Sequence, residues 1–149
     1  MCGITGYYAL QQAAVGNFSK VKQSTDKLSL RGPDCGNVEI TSTVALGHRR
    51  LSIIDTSHAA DQPMKDASGR YLLVFNGEIY NFKELSQSYL QAVWQRVGRP
   101  ILQSDTEVLL YLLIEYGEHC LAWLSGFFAF AFYDKETNEL LLARDSYGK

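Results

Sequence analysis

The chain has 149 residues, a formal net charge of −2, 46% hydrophobic residues and 20% charged residues. A chain of this length fits one folded domain and can bury about two-thirds of its unfolded surface. The hydrophobic and charged fractions are ordinary for a globular protein, so the composition excludes an intrinsically disordered protein. The small negative charge provides no general attraction to phosphate backbones or anionic membranes. Nucleic acid and membrane surfaces are therefore not expected as partners.

The cysteine pattern and the N-terminus indicate a cytoplasmic protein. Cys2, Cys35 and Cys120 show no CxxC or Cys/His spacing, so neither a disulfide framework nor a zinc site is predicted. The N-terminus lacks the basic and apolar regions of a signal peptide, and no apolar run reaches the roughly 18 residues of a spanning helix. We therefore expect the protein in a reducing cytoplasm.

Turn residues divide the first part of the chain into short elements. Residues 3–10 are rich in Ile, Thr and Tyr and predict a strand that would hold Cys2 in a sheet. A helix is predicted to begin near Asn17 or Ser19 and to end before the RGPD segment at residues 31–34, where Gly-Pro must break it. Two further extended segments are predicted at residues 38–45 and 51–54.

An Asn-Gly pair marks the middle of the chain. Asn76 and Gly77 separate two β-rich runs at residues 71–75 and 78–82. Because Asn-Gly is the dipeptide that most favours a two-residue type I′ turn, we expect a hairpin here. A helix with one apolar face is predicted to follow over residues 83–97.

The last third predicts one more helix and a second hairpin. The SDTE segment at residues 104–107 has the spacing of a capping box and opens a helix over 108–116, which Gly117 can close. Residues 127–134 and 139–144 are expected to pair as strands. Since hairpin-like joins predominate, we expect an α+β fold of antiparallel sheets covered by helices. The chain stops just after a strong strand, which indicates truncation at its C-terminal end.

Cys2 directly follows the initiator Met1, which gives it a second reactive group. If Met1 is removed, one residue carries both a thiol and a free α-amine. The ordinary pKa of a thiol is about 8.5 and that of an α-amine is about 7.7 to 8.0. The amine can then accept the thiol proton at neutral pH, as in an N-terminal nucleophile. A retained Met1 would block the amine. The alternative interpretation is an ordinary small residue after the start codon.

The other polar motifs each have a structural interpretation when taken singly. The RGPD segment is a turn, and Asn76 with Gly77 is a hairpin. Asp105 is an acidic residue in the first turn of a helix, where it favours the helix dipole. Four other charged side chains are interpreted as structural neighbours or turn residues: Arg31, Asp34, His48 and Arg49.

Eight segments in this order carry more information together than singly. They are residues 2–6 (CGITG), 31–34 (RGPD), 46–55 (LGHRRLSIID), 62–64 (QPM), 75–81 (FNGEIYN), 104–107 (SDTE), 126–134 (GFFAFAFYD) and 143–145 (ARD). Over residues 1–149 the chain resembles the N-terminal glutaminase domain of the glutamine-hydrolysing asparagine synthetases, a branch of the class II glutamine amidotransferases. The resemblance implies the four-layer αββα sandwich of N-terminal nucleophile (Ntn) hydrolases.

The resemblance also implies a mechanism. The thiolate of Cys2 would attack the side-chain amide carbon of glutamine, while the α-amine shuttles the proton through a water. Asn76 and Gly77 would form the oxyanion hole, each donor contributing roughly 3 kcal/mol to the transition state. Ammonia would leave, and water would release glutamate from a glutamyl thioester on Cys2.

Substrate contacts are implied in the same way. Arg50 would bind the α-carboxylate of glutamine with its planar fork, and Asp105 would bind the α-ammonium group. The rest of the implied pocket is Glu78, Asn76, Gly77 and the backbone of Leu51, Ser52, Ile53 and Ile54.

The implied partners are L-glutamine and a separate C-terminal synthetase domain that is absent here. No metal or cofactor is expected for the glutaminase step, whereas ATP and Mg are expected only for the missing domain, which would activate an acceptor carboxylate. A homodimer is compatible with this interpretation. Two alternatives stay open: an amidotransferase for another biosynthetic carboxylate, and an inactive fragment that acts only as an assembly module through an exposed sheet edge.

Overall fold

The computed structural model describes residues 2–51, 61–98 and 104–148, and within them the chain forms two antiparallel sheets and four α-helices. The strands are β1 (Gly3–Tyr8), β2 (Cys35–Ile40), β3 (Val44–Arg50), β4 (Met64–Lys65), β5 (Tyr71–Ile79), β6 (Gly126–Asp134) and β7 (Glu139–Arg144). The α-helices are α1 (Phe18–Lys27), α2 (Phe82–Tyr89), α3 (Gln91–Val97) and α4 (Asp105–Tyr116). Short 3₁₀ helices cover Gln12–Asn17 and Gly117–Trp123.

The two sheets pack face to face between layers of helices. The first sheet has the order β1-β3-β2 and the second the order β4-β5-β6-β7. Helix α1 covers the outer face of the first sheet, and helices α2, α3 and α4 cover the outer face of the second. A hydrophobic cluster buried between the sheets contains Val44, Leu46, Leu72, Val74, Ala131 and Tyr133. The predicted α+β class and the four-layer sandwich are therefore confirmed.

The predicted hairpin at Asn76 and Gly77 is wrong. Strand β5 runs through both residues and pairs with β6 in an unbroken register from Tyr71 opposite Asp134 to Ile79 opposite Gly126. A Cβ atom on Gly77 would lie 2.2 Å from the Phe127 carbonyl oxygen, so the glycine serves close strand approach. Pairing along nine residues outweighs the local turn preference of one dipeptide.

The extended segment predicted over residues 38–45 is two strands. Strand β2 ends at Ile40 and β3 begins at Val44, with a turn between them. In this turn the Thr41 hydroxyl accepts hydrogen bonds from the backbone N–H groups of Thr43 and Val44. A side chain that satisfies backbone donors allows the chain to reverse without a glycine or proline.

The predicted helices form, with different bounds. Leu90 interrupts the segment predicted as one helix over 83–97, which gives α2 and α3. Helix α4 begins at Asp105 rather than at residue 108, and the Ser104 side chain makes no cap hydrogen bond. Gly117 closes α4 with φ 56°, as predicted. No helix among the described residues is long and apolar enough to cross a membrane.

Candidate active site

Residue alternation along β3 determines which side chains enter the space between the sheets. Val44 and Leu46 belong to the core between the sheets, whereas Gly47 faces Thr25 of α1 on the outer side. Successive strand residues point to opposite faces, so His48 and Arg50 also point between the sheets. Both side chains are buried, with 1% and 8% of their residue surfaces exposed.

Cys2 directly precedes β1 and lies beside Arg50 of β3. The register that pairs Gly3 with Arg49 brings the preceding residue, Cys2, next to Arg50. The half-buried Cys2 thiol lies 4.0 Å from the Leu51 carbonyl oxygen. The Cys2 carbonyl accepts a hydrogen bond from Arg31 Nε at 3.3 Å, so the RGPD segment supports the start of β1.

Arg49 holds the same supporting segment from the outer side. Its guanidinium donates hydrogen bonds to the carbonyl oxygens of Gly32 at 2.8 Å and Pro33 at 3.3 Å. The backbone N–H of Asp34 also donates to the Arg50 carbonyl. These contacts fit the interpretation of Arg49 as a structural neighbour.

Beyond the end of the short strand β4, side-chain oxygens rather than a neighbouring strand accept backbone hydrogen bonds along one edge of β5. The Phe75 N–H donates to Gln62 Oε1 at 2.6 Å, and the Ile79 N–H donates to Asp105 Oδ2 at 3.1 Å. Because N–H groups alternate between the two edges of a strand, the Gly77 N–H lies on this edge between them. Among the described residues, none accepts a hydrogen bond from it there.

Asn76 and Glu78 share the inner face of β5 with Leu72 and Val74, whose side chains are directed toward the first sheet. Strands β3 and β5 contact each other, and the buried His48 at the end of β3 lies against the Phe75 backbone. Cys2, Arg50, Asn76 and Gly77 therefore lie at the same end of the space between the sheets. Glu78 is exposed at this end.

Arg50 already has a carboxylate neighbour. Its Nη1 atom lies 2.9 Å from Asp61 Oδ1, and both side chains are largely buried. A buried guanidinium is strongly destabilising without a negative partner, and Asp61 supplies one. No short sequence motif signals an ion pair between residues eleven positions apart, so Asp61 could not be recognised from its neighbours in the chain.

Asp105 is the first residue of α4 and is partly buried beside β5. Burial raises the pKa of its carboxyl group above the ordinary value, whereas hydrogen bonds from the N–H groups of Ile79 and Thr106 oppose the rise. The carboxylate therefore binds two backbone donors while it borders the open edge of β5. Such an acceptor can also bind a cationic group.

His48 is neutral at pH 7. Burial lowers its pKa to about 4, and the nearby charge of Arg50 contributes in the same direction. Its Nε2 atom has no hydrogen-bond partner among the described residues. His48 therefore contributes an uncharged ring beneath the site.

Three predicted pocket residues, Ser52, Ile53 and Ile54, lie outside the described residues, as does Met1. Leu51 is described and presents its carbonyl to Cys2. Within the described ranges, no group of three His, Cys, Asp or Glu side chains could hold a metal ion.

Comparison with known proteins gives the family. The glutamine amidotransferase domain family matches residues 1–149. The chain is 40% identical over 150 residues to the glutamine-hydrolyzing asparagine synthetase 3 of Bacillus subtilis (strain 168), covering 99% of this chain and 24% of that protein. It is 36% identical over 148 residues to the glutamine-hydrolyzing asparagine synthetase B of Escherichia coli (strain K12), covering 99% and 26%.

A fungal relative has a different name. The amidase chyE of Penicillium rubens is 35% identical over 159 residues, which cover 99% of this chain and 23% of that protein. The chain thus spans about a quarter of the length of the relatives it matches. With the family match over its whole length, the chain belongs to the glutamine amidotransferase domain family.

Proposed function

We propose that this chain hydrolyses the side-chain amide of glutamine, with Cys2 as the nucleophile, and supplies the ammonia to a synthetase domain. The observation that carries the proposal is the Gly77 N–H on the edge of β5, at the end of the space between the sheets where Cys2 lies; no described residue accepts a hydrogen bond from it on that edge. Membership of the glutamine amidotransferase domain family supports the same reaction.

The proposed reaction has two halves. The thiol proton of Cys2 passes through a water to its own α-amine, and the Sγ–C bond forms as the amide oxygen becomes negative. The C–N bond then breaks, the proton passes to the leaving nitrogen, and ammonia departs. Water next adds to the glutamyl thioester, the C–S bond breaks, and glutamate and the thiol are released.

The developing oxyanion needs donors that are free before substrate arrives. The Gly77 N–H, which has no acceptor on that edge of β5 within the described part of the chain, is one candidate. The Asn76 side chain, directed toward the first sheet, supplies an NH₂ group. Removing one such donor typically costs about 3 kcal/mol of transition-state stabilisation. We assign both residues to the oxyanion hole.

The α-groups of glutamine require two opposite charges. Arg50 provides the cation for the α-carboxylate, and Asp61 holds one nitrogen of its fork in place. Asp105 provides the anion for the α-ammonium group. We propose that Glu78 and the backbone from Leu51 to Ile54 complete the pocket.

The acceptor of the ammonia is proposed from the relatives. Because two of them are named asparagine synthetases, we propose an ATP- and Mg-dependent synthetase domain as the partner and aspartate as the acceptor, in the cytoplasm. Transfer to another biosynthetic carboxylate is the second candidate, and the relative from Penicillium rubens shows that not all relatives are named asparagine synthetases. An acceptor screen with the complete protein separates the two.

Substitution of Cys2 tests the proposal directly. In the complete protein with Met1 removed, Cys2→Ala should reduce glutamate release from glutamine to background, because no other thiol occupies this position. Synthesis from free ammonia should continue, since that reaction bypasses the nucleophile. Both rates are measured on the same preparation, after an intact mass has established that Met1 is absent.

A matched variant and a covalent label complete the test. Cys35→Ala changes a second half-buried thiol, at the start of β2, and should leave glutamate release intact. A diazoketone analogue of glutamine should add once to the wild-type chain and not to Cys2→Ala. Glutamate release at the wild-type rate in Cys2→Ala would rule out Cys2 as the nucleophile.

A further inference from the structure

We infer that Gln62 is a positioning residue: its side chain replaces a strand beside β5, which leaves the Gly77 N–H free for the substrate oxygen. The inference rests on the proposed function, because it explains how the oxyanion donor is kept open. Gln62 does not touch the substrate in this account. It acts through the backbone of β5.

The strand register shows what Gln62 replaces. Met64 pairs with Leu73 and Lys65 with Leu72, and continuing this register would place Gln62 opposite Phe75. Backbone pairing has ended there. Instead Gln62 Oε1 accepts the Phe75 N–H at 2.6 Å, and only 7% of the Gln62 surface is exposed. The side-chain amide thus satisfies a buried backbone donor that a strand would otherwise satisfy.

A longer β4 would close the oxyanion hole. Two residues beyond Phe75, the Gly77 N–H lies on the same edge of β5. If backbone pairing continued to that point, a carbonyl of the neighbouring strand would accept this N–H. A donor that is already paired cannot stabilise a developing oxyanion without first breaking that bond. Ending the strand with a side chain satisfies Phe75 and leaves Gly77 open.

The position of the Gly77 peptide must nevertheless be exact. On the other edge of β5, Gly77 lies opposite Phe128 of β6. Phe128 is itself held in place, because Asp145 Oδ2 accepts its backbone N–H at 3.0 Å. On the open edge, Gln62 is the described side-chain anchor that precedes Gly77. Misplacement of a reacting group by about 1 Å can lower a rate about a hundredfold.

A neutral amide side chain is chemically appropriate at residue 62, beside the proposed oxyanion hole. The Gln62 oxygen accepts a hydrogen bond without carrying a charge. A carboxylate at the same point would also accept the Phe75 N–H, but its negative charge would oppose the negative oxygen that develops in the reaction. The residue type therefore agrees with a role beside an oxyanion.

The inference is tested with two substitutions in the complete protein. Gln62→Met keeps the length of the side chain and removes the oxygen, so kcat for glutamine hydrolysis should fall about 10- to 100-fold. KM should change by less than about threefold, because Gln62 contacts no part of the bound ground state. Gln62→Glu keeps the acceptor and adds charge, so its kcat relative to wild type should rise as the pH is lowered through the titration of the new carboxyl group.

Gln87→Met provides the matched control, since Gln87 is exposed on α2. It should leave both kcat and KM at their wild-type values. Wild-type kcat in Gln62→Met would overturn the inference, while an inactive Cys2→Ala in the same assay would keep the proposed function. A parallel loss of kcat, rise of KM and fall of Tm would also overturn it, because Gln62 would then be a general structural residue. Wild-type turnover that survives Cys2→Ala would instead overturn the proposed function.

Discussion

Asp105 shows how one side chain can serve the fold and the proposed site together. Its carboxylate accepts the Ile79 N–H on the open edge of β5 and the Thr106 N–H at the start of α4. Both bonds hold the carboxylate in place at the boundary of the proposed pocket. Burial raises the pKa of Asp105 because the charged carboxylate loses hydration. A bound cationic group would offset that loss by favouring the charged form.

Asp105→Asn should raise the KM for glutamine about 10- to 100-fold. The neutral amide keeps an acceptor for the Ile79 N–H but loses the charge opposite the α-ammonium group, a contact worth about 1.5–3 kcal/mol. Because this contact exists in both ground and transition states, kcat should change by less than about threefold. Initial rates of glutamate release over a range of glutamine concentrations measure both constants.

The control for this substitution is Asp26→Asn, which makes the same change of charge on the exposed surface of α1. Its KM should equal that of the wild type. An unchanged KM in Asp105→Asn would remove Asp105 from the proposed substrate contacts.

At the scale of elements, Gly47 determines how closely α1 approaches the first sheet. Strand β3 is the central strand of that sheet, and Gly47 faces the helix. The Thr25 hydroxyl bonds to the Val21 carbonyl and to the Thr5 hydroxyl, both at 2.7 Å. A Cβ atom on residue 47 would lie 2.0 Å from Thr25 Oγ1. The helix can pack at this distance only because the strand residue has no side chain.

Gly47→Ala should lower the free energy of unfolding by about 1–3 kcal/mol, the usual cost of inserting an atom into a packed contact. Urea denaturation followed by circular dichroism measures the change. Gly16→Ala is the control, because a Cβ atom there meets no other atom within 4 Å. Equal stability of Gly47→Ala and wild type would show that α1 moves away without cost.

His48 lies between the two sheets and links the stability of the entire fold to pH. Burial lowers its pKa to about 4, compared with 6.5 when unfolded. Between these values the unfolded chain binds more protons than the folded chain. Its contribution to stability is therefore complete above about pH 6.5 and is lost as the pH falls through about 4.

His48→Gln should remove part of the pH dependence of folding. Linkage predicts that the neutral His48 accounts for about 2 kcal/mol of the stability lost between pH 7 and pH 5. Urea denaturation at both pH values should therefore show a smaller loss for His48→Gln than for wild type. His119→Gln, at an exposed position, should keep the wild-type loss. A wild-type pH dependence in His48→Gln would show that another group titrates in this range.

Local patterns in the sequence predicted the elements whose formation depends on their own residues. The strand after Cys2, helix α1, the β6–β7 hairpin and the closure of α4 by Gly117 are confirmed. Together these indicated an α+β fold of antiparallel sheets covered by helices. The ordered motifs indicated the family that the comparison shows, and the sandwich was implied by that resemblance. Each signal lies within a few neighbouring residues, where alternation, breakers and caps act.

Contacts between segments that are distant in the sequence could not be predicted from local patterns. The Asn-Gly pair lies inside β5 because β6 pairs along the whole strand, and no local signal reports a partner some fifty residues away. In the same way, Asp61 is paired with Arg50, and Gln62 replaces a strand beside Phe75. Local patterns and ordered motifs therefore predicted the fold class and the family, whereas long-range pairing and burial established which backbone donor stays open and which charges meet at the proposed site.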